Sequence, residues 1–436
     1  MSEVLPTTLD AWLARLEAAH PVGIDLGLER VAEIARRMGL LDRPLAGRVV
    51  TVAGTNGKGS TVAMLEALAR AHGLATATYT SPHLIRYNER LRLDGEEADD
   101  ATLIAGFAAV ERARLDGEPV SLTYFEVGTL GALWAMARRP PDLAILEVGL
   151  GGRLDAVNVI DPDVAVITTV AQDHAAFLGT DLEGIGREKA GILRPGRPAV
   201  LGSRDLPASV RQVAAQRGAH VYALDETFRR EGEGAGWSFW GQTPIRHLPD
   251  PGLPLDNAAT ALKALALAGV SLEAEACRRA LAEVRLPGRM QWLGQWCLDV
   301  GHNPHAAAYL AQRLAALPCR GRTFALLGML ADKDADGVIA ALVPAVDAWV
   351  TASLAGDRGR GAGELAERLA GQGAEVWHRA ASPVAAAAWL ASRLAPEDRV
   401  LVCGSFLTVG EVLGWLAPPP GPGQTDMDTS SREAAP

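Results

Sequence analysis

Apolar residues in this chain fall into short uninterrupted runs, separated by longer stretches of helical periodicity. The first clear run is VVTVA (49–53), followed by a glycine-rich turn and then STVAMLEALARAHG, whose apolar positions recur at helical spacing and stop near Gly73. ATATYTS (about 75–81), LAILEVGL (143–150), VAVITTVA (164–171) and PAVLGS (198–203) repeat the pattern, with helical stretches between them. Continuous apolar strands alternating with helices predict a mostly parallel sheet covered on both faces.

Residues 256–285 read as two consecutive helices, and LPGR (286–289) breaks the pattern as a linker does. Beyond it the alternation restarts with WCLDVG, TFALLGML, AWVTASL, EVW and VLVCGS, each followed by a helical stretch. The expected organisation is therefore an α/β domain over 1–290, a smaller α/β domain over 291–417, and a tail over 418–436. The tail, PPPGPGQTDMDTSSREAAP, has no apolar periodicity and is expected to be disordered.

A length of 436 residues with 48% apolar content suits two cores. The formal net charge of −10 argues against nucleic acid as a partner. An anionic substrate would need a local basic cleft, because the global field does not attract it. No apolar run long enough to cross a membrane is free of charges, and the acidic, amphipathic N-terminus is unlike a signal peptide. Cys277, Cys297, Cys319 and Cys403 are scattered with no CxxC pair, which argues against a zinc site or disulfide framework and fits a reducing, cytoplasmic setting. Nothing signals an interface, so a monomer is expected.

The strongest local signal is GTNGKGST (54–61), between a strand and a helix. Gly54, Gly57 and Gly59 let backbone amides approach phosphate oxygens at a helix N-terminus. Thr55, Asn56 and Thr61 complete the loop, Lys58 can neutralise phosphate charge, and Ser60 can ligate magnesium. Strict GxxxxGK[ST] spacing is not met, since Val52 stands at the first glycine position. Such a loop fits a kinase, a switch GTPase, an ATPase or a ligase alike. No NKxD, HRD or DFG signature accompanies it.

Glu147 ends one apolar run and His174 follows the next, where ligands of open α/β sheets collect. Each reads equally as a metal ligand or as a strand-end polar group. Lys189, in REKAGILRPG, reads on its own pattern as a solvated lysine on an amphipathic helix.

Taken together, IDLGLERV (24–31), GTNGKGS, YTSPHL (79–84), LTYFE (122–126), LEVGLGGRLDAVN (146–158), EKAGI (188–192), LPGR, LDVGHNP (298–304) and CGSF (403–406) resemble the folylpolyglutamate synthase/dihydrofolate synthase branch of the Mur ligases. The resemblance runs in the family's order to about residue 416. It implies an N-terminal phosphate-loop domain, a smaller Rossmann-like C-terminal domain, and ATP-dependent addition of L-glutamate to a pteridine-bearing carboxylate. Gly57, Lys58 and Ser60 would hold ATP phosphates, with Asn257, Arg289, Asp299 and His302 at the nucleotide. Two Mg2+ ions would be held, one by Ser81 and Glu147, the other by Glu147 and His174. Lys189 matches a carbamylated lysine, whose anionic carbamate would steady His174. Thr123, Phe125 and Asp155 match the pterin pocket of bifunctional members. The chain departs from the family at Gln172, where LDH is common, and at Gly301, where DGAHNP or DVAHNP is common.

The resemblance therefore implies dihydropteroate, tetrahydrofolate and its polyglutamates, and L-glutamate as small-molecule partners. It implies an acyl-phosphate route in a dry cleft, with closure about LPGR. A monofunctional folylpolyglutamate synthase and a UDP-muramyl ligase are the alternatives, the latter disfavoured by LTYFE and EKAGI.

Overall fold

The computed structural model describes residues 5–19 and 25–417. The tail assigned to 418–436, and Ile24 of the IDLGLERV segment, lie outside the described residues. The chain splits into two compact units, Met1–Met290 and Gln291–Pro436.

In the first unit eight strands form one sheet: β1 (Arg48–Ala53), β2 (Thr76–Tyr79), β3 (Leu91–Leu93), β4 (Glu96–Glu97), β5 (Leu143–Glu147), β6 (Val164–Ile167), β7 (Pro198–Leu201) and β8 (His220–Ala223). Their order is β4-β3-β2-β5-β1-β6-β7-β8. The six strands from β2 to β8 run parallel, and β3 and β4 add an antiparallel edge. The central strands are apolar on both sides because both sides are covered. Val49, Ala144 and Leu146 join one core, with Trp12, Phe107 and Met136 from flanking helices. Val50, Val52, Leu143 and Ile145 point the other way, into a core shared with the helices Lys58–Ala71, Leu255–Leu267 and Ala274–Glu283. This is the two-residue alternation of a strand buried on both faces.

A small antiparallel sheet, β9 (Arg229–Glu231), β10 (Trp237–Trp240) and β11 (Ile245–Leu248), follows β8. The sequence pattern did not predict it, nor the β3–β4 edge. The run read as one strand over 164–171 ends at Ile167, and Thr168–Ala171 turn away to bond the phosphate loop.

The second unit is a six-stranded sheet of β12 (Gln291–Leu293), β13 (Trp296–Leu298), β14 (Thr323–Leu327), β15 (Ala348–Ala352), β16 (Val376–Ala380) and β17 (Arg399–Cys403). Its order is β12-β13-β17-β14-β15-β16, parallel except for the β12–β13 hairpin. The stretch directly after LPGR is thus strand, with Gln291 paired to Leu298.

Candidate active site

The carboxyl ends of β2, β5, β1 and β6 adjoin one another at the centre of the large sheet, where open α/β folds bind ligands. The phosphate loop leaves β1 there. Gly57, at φ +83°, turns the chain into the Lys58–Ala71 helix, and a Cβ at that position would stand 2.8 Å from Asn257 Nδ2. The loop is tied to the segment after β6. Thr55 donates to the Thr169 carbonyl at 2.8 Å, the Asn56 amide donates to Thr169 Oγ1 at 3.0 Å, and the Thr168 hydroxyl donates to the Asn56 carbonyl at 2.7 Å. A backbone held this way keeps its amides aimed without reorganising when an anion arrives.

Lys58 Nζ folds back on the loop, donating to the carbonyls of Gly54 and Thr55 at 3.1 and 3.2 Å. Burial lowers its pKa from the usual lysine value, while Glu147 and Asp173 act in the opposite sense. Ser60 donates to the Gly57 carbonyl at 3.1 Å and accepts from Asn257 Nδ2 at 2.8 Å. Thr61 Oγ1 donates to the same carbonyl at 2.8 Å. Asn257, expected as a nucleotide contact, also buttresses the loop through this bond.

Glu147 is 5% exposed, and burial raises its pKa, with Lys58 and Arg289 pulling it back down. Its Oε2 lies 4.0 Å from where a Cβ on Gly59 would stand, so the carboxylate looks onto the phosphate loop. The Ser81 backbone amide acts in the same sense as those two cations. His174 holds φ 51°, uncommon for a residue with a Cβ, at the start of the short helix Ala175–Leu178, and its amide donates to Asp173 Oδ1. Among the described residues, no three His, Cys, Asp or Glu side chains gather as a metal-binding group. Ser81 and Glu147 offer oxygen donors, the kind a small hard cation takes alongside phosphate oxygens and water, whereas the His174 imidazole is an unusual ligand for magnesium.

Beside Glu147 lies a second pocket wall. Gly149 carries no side chain where a Cβ would meet Phe125 Cζ at 2.6 Å and Asp155 Oδ2 at 3.3 Å. Phe125 and Asp155 therefore converge on one glycine, with the Tyr79 ring 6.3 Å from Phe125. Asp155 accepts from the amides of Leu150 and Val157 at 2.8 and 3.0 Å, yet its pKa is pushed up to about 6 because burial outweighs those bonds. Thr123 is buried next to this wall in sequence, and its hydroxyl caps the Tyr124–Arg138 helix, accepting from the Glu126 amide at 3.2 Å, which leaves its O–H free to donate. Glu126 in turn pairs with Arg30 at 3.0 Å, which joins the LTYFE segment to IDLGLERV.

The structure corrects the reading of Lys189 as a solvated lysine. It is 3% exposed, near the end of the Leu182–Ala190 helix, and burial first and Lys58 second push its pKa down to about 7. Gly152 allows this approach, since a Cβ there would lie 3.0 Å from the Lys189 carbonyl.

Residues 52–227 match the Mur ligase middle domain, and residues 288–406 match the Mur ligase glutamate ligase domain. The dihydrofolate synthase/folylpolyglutamate synthase of Escherichia coli K12 is 46% identical over 415 residues, which span 93% of this chain and 94% of that protein. The chain belongs to the dihydrofolate synthase/folylpolyglutamate synthase family. Two solved structures of this family are similar throughout. E. coli FolC in complex with DHPP and ADP has a TM-score of 0.90 at 44% identity, covering 94% of this chain and 98% of that one. A bifunctional folylpolyglutamate synthase/dihydrofolate synthase with Mn, AMPPNP and L-glutamate bound has a TM-score of 0.88 at 45% identity, covering 95% and 100%.

Within the second unit, the LDVGHNP segment that marks this family leaves β13. Asp299 is 7% exposed and accepts from the Gly301 amide at 2.8 Å. His302 shares a hydrogen bond with the Val300 carbonyl through Nδ1 at 2.8 Å, and its ring lies 6.2 Å from Phe406 of CGSF. Residues missed from sequence are Thr168, Thr169 and Glu126. A pair of threonines directly after a buried strand was the available signal for the first two. No helix among the described residues is long and apolar enough to cross a membrane.

Proposed function

We propose that this protein is an ATP-dependent amide ligase that adds L-glutamate to dihydropteroate and to the γ-carboxyl of tetrahydrofolate polyglutamates through an acyl phosphate. The observation that carries this reading is the adjacency of two half-sites. A phosphate loop with Lys58 faces Glu147, and two residues further on Gly149 underlies the Phe125–Asp155 wall. An aromatic face beside a buried carboxylate is the chemistry that binds a flat heterocycle with ring N–H donors.

In this reading the loop amides and Lys58 hold the triphosphate, and Asn257 keeps Ser60 and Gly57 in place. Arg289, Asp299 and His302 take the nucleotide contacts that the resemblance implies. Phe125 and Asp155 orient the pterin, with Thr123 fixing the helix that carries Phe125. An oxygen of the acceptor carboxylate attacks the γ-phosphorus, ADP departs, and Lys58 offsets the charge on the moving group. The glutamate amine then attacks the acyl carbon, and collapse of the tetrahedral adduct expels phosphate and leaves the amide. Burial of Glu147, Asp155 and Lys189 keeps that end of the site poor in water, which protects an acyl phosphate from hydrolysis. Magnesium held by Ser81 and Glu147, with a second ion at Glu147 and His174, would supply neutralisation of phosphate charge.

Lys189 supports a carbamate. An amine near half-neutral at pH 7 can attack carbon dioxide, losing a proton and becoming an anion able to steady His174. Four free cysteines accord with a reducing cytoplasmic location.

The test is to run the reaction with dihydropteroate whose carboxylate carries heavy oxygen. One heavy oxygen should appear in the inorganic phosphate for each amide formed. Amide formed without label in phosphate would refute the acyl phosphate.

A further inference from the structure

Between β2 and β3 the chain runs through a loop and one turn of tight helix, Tyr87–Arg90, and this loop carries Ser81. Three ties hold it. At its ends, the Thr80 amide donates to the Arg90 carbonyl at 2.9 Å, and the Thr80 hydroxyl donates to the Glu89 carbonyl at 3.3 Å. In its middle, the Glu89 carboxylate accepts from the amides of Leu84, Ile85 and Arg86 at 2.6, 2.7 and 2.7 Å. The third tie is the Arg90 guanidinium, whose Nε donates to His83 Nδ1 at 2.9 Å. A guanidinium only donates, so His83 is held with Nδ1 as acceptor, one tautomer and one ring orientation.

Arg90 is 9% exposed, and its surroundings are aromatic rather than acidic. Its guanidinium lies 5.0 Å from the Tyr87 ring centroid and 5.4 Å from that of Tyr124. Its neighbour Glu89 is occupied by the three amides. Cation–π contacts offset part of the cost of burying the charge. If packing against two tyrosines were the whole role, an apolar side chain would fill it at lower cost. What only the guanidinium adds is the directed bond to His83, two residues from Ser81, whose backbone amide favours the charged form of Glu147.

We infer that Arg90 is a positioning residue for the metal end of the site, fixing the Ser81 loop through His83 and thereby the approach of Ser81 to Glu147. The inference rests on the assignment of Ser81 and Glu147 to a divalent cation made above. Outer contacts that orient ligands this way change metal affinity by roughly 10–100-fold when removed.

The test uses the full-length protein, Arg90→Gln, Arg90→Lys, His83→Ala and the His83→Ala/Arg90→Gln double variant. Mn2+ is titrated in the presence of saturating ADP, and free Mn2+ is read by electron paramagnetic resonance. ADP binding without metal and thermal melting are measured alongside. Each single variant is expected to bind Mn2+ about 10–100-fold more weakly, with metal-free ADP affinity unchanged. The double variant should be no weaker than either single one, because both break one bond. Arg90→Lys keeps the charge without the planar donor and should show the same loss. It also serves if Arg90→Gln does not fold. Wild-type Mn2+ affinity in a folded Arg90 variant, or losses that add in the double variant, would overturn the inference. Because metal binding is the readout, a protein that shows this dependence yet never ligates glutamate would overturn the proposed function and leave the inference standing.

Discussion

Lys189→Met removes a buried ammonium while keeping an unbranched chain of similar length. The fall in pKa from 10.5 to about 7 puts the cost of burying the charged form on the order of 5 kcal/mol. The folded pKa lies below the unfolded one, so between those two values the unfolded state binds the extra proton. Stability of the wild type therefore rises with pH through that window. In carbonate-free buffer the rise attributable to Lys189 is about 2 kcal/mol between about pH 7 and pH 9. Urea unfolding of both proteins at each pH measures it, because the difference between them isolates this group from all others. Lys189→Met should lack that share of the slope and should be the more stable protein near neutrality without carbonate. Added bicarbonate should stabilise the wild type alone, and labelled bicarbonate should give a carbamate carbon resonance absent from the variant. Equal pH slopes in the two proteins would refute the burial argument. Equal slopes in bicarbonate with no carbamate signal would remove the modification as well.

Three further outcomes follow from named contacts. Asp155, with its pKa pushed up to about 6, should lose its charge as pH falls through that value, so dihydropteroate should bind more weakly below it. Asp155→Asn should bind weakly with no such inflection when binding is followed by fluorescence titration. Gly149→Ala must displace Phe125, whose Cζ would lie 2.6 Å from the new methyl, and should cut dihydropteroate affinity while sparing metal-free ADP affinity. Asn257→Ala removes the buried bond to Ser60 and should cost about 1–3 kcal/mol of stability, read by urea unfolding, with weaker ADP binding.

Much of the nucleotide half was legible because its signals are local. A buried strand, a glycine turn and a helix lie within one stretch, and the apolar run of β5 delivers Glu147 to the same edge. The less legible parts depend on contacts distant in sequence. Asn257 reaches Ser60 across 197 residues, and no pattern near 257 announces it. The burial of Lys189 comes from Gly152 letting the helix close on the loop after β5, while LEGIGREKA by itself looks solvated. ITTVA has strand composition throughout, yet Thr168 and Thr169 leave the sheet because their hydroxyls bond Asn56. The meander over 229–248 is rich in glycine and charge, so its short apolar alternation in WSFW was masked. The wall proposed for the pterin was reached through resemblance alone, since Phe125 beside Gly149 is a contact that spacing does not encode.

The central claim is glutamate transfer to both kinds of acceptor, and one assay addresses it. Purified protein is incubated with ATP, magnesium, radiolabelled L-glutamate and either dihydropteroate or tetrahydrofolate, then product and ADP are counted. The account predicts labelled product from each acceptor, with one ADP for each glutamate joined. Product from tetrahydrofolate alone would contradict the role given to the Phe125–Asp155 wall as a dihydropteroate site. No incorporation with either acceptor, in protein shown to bind ATP, would contradict the account as a whole.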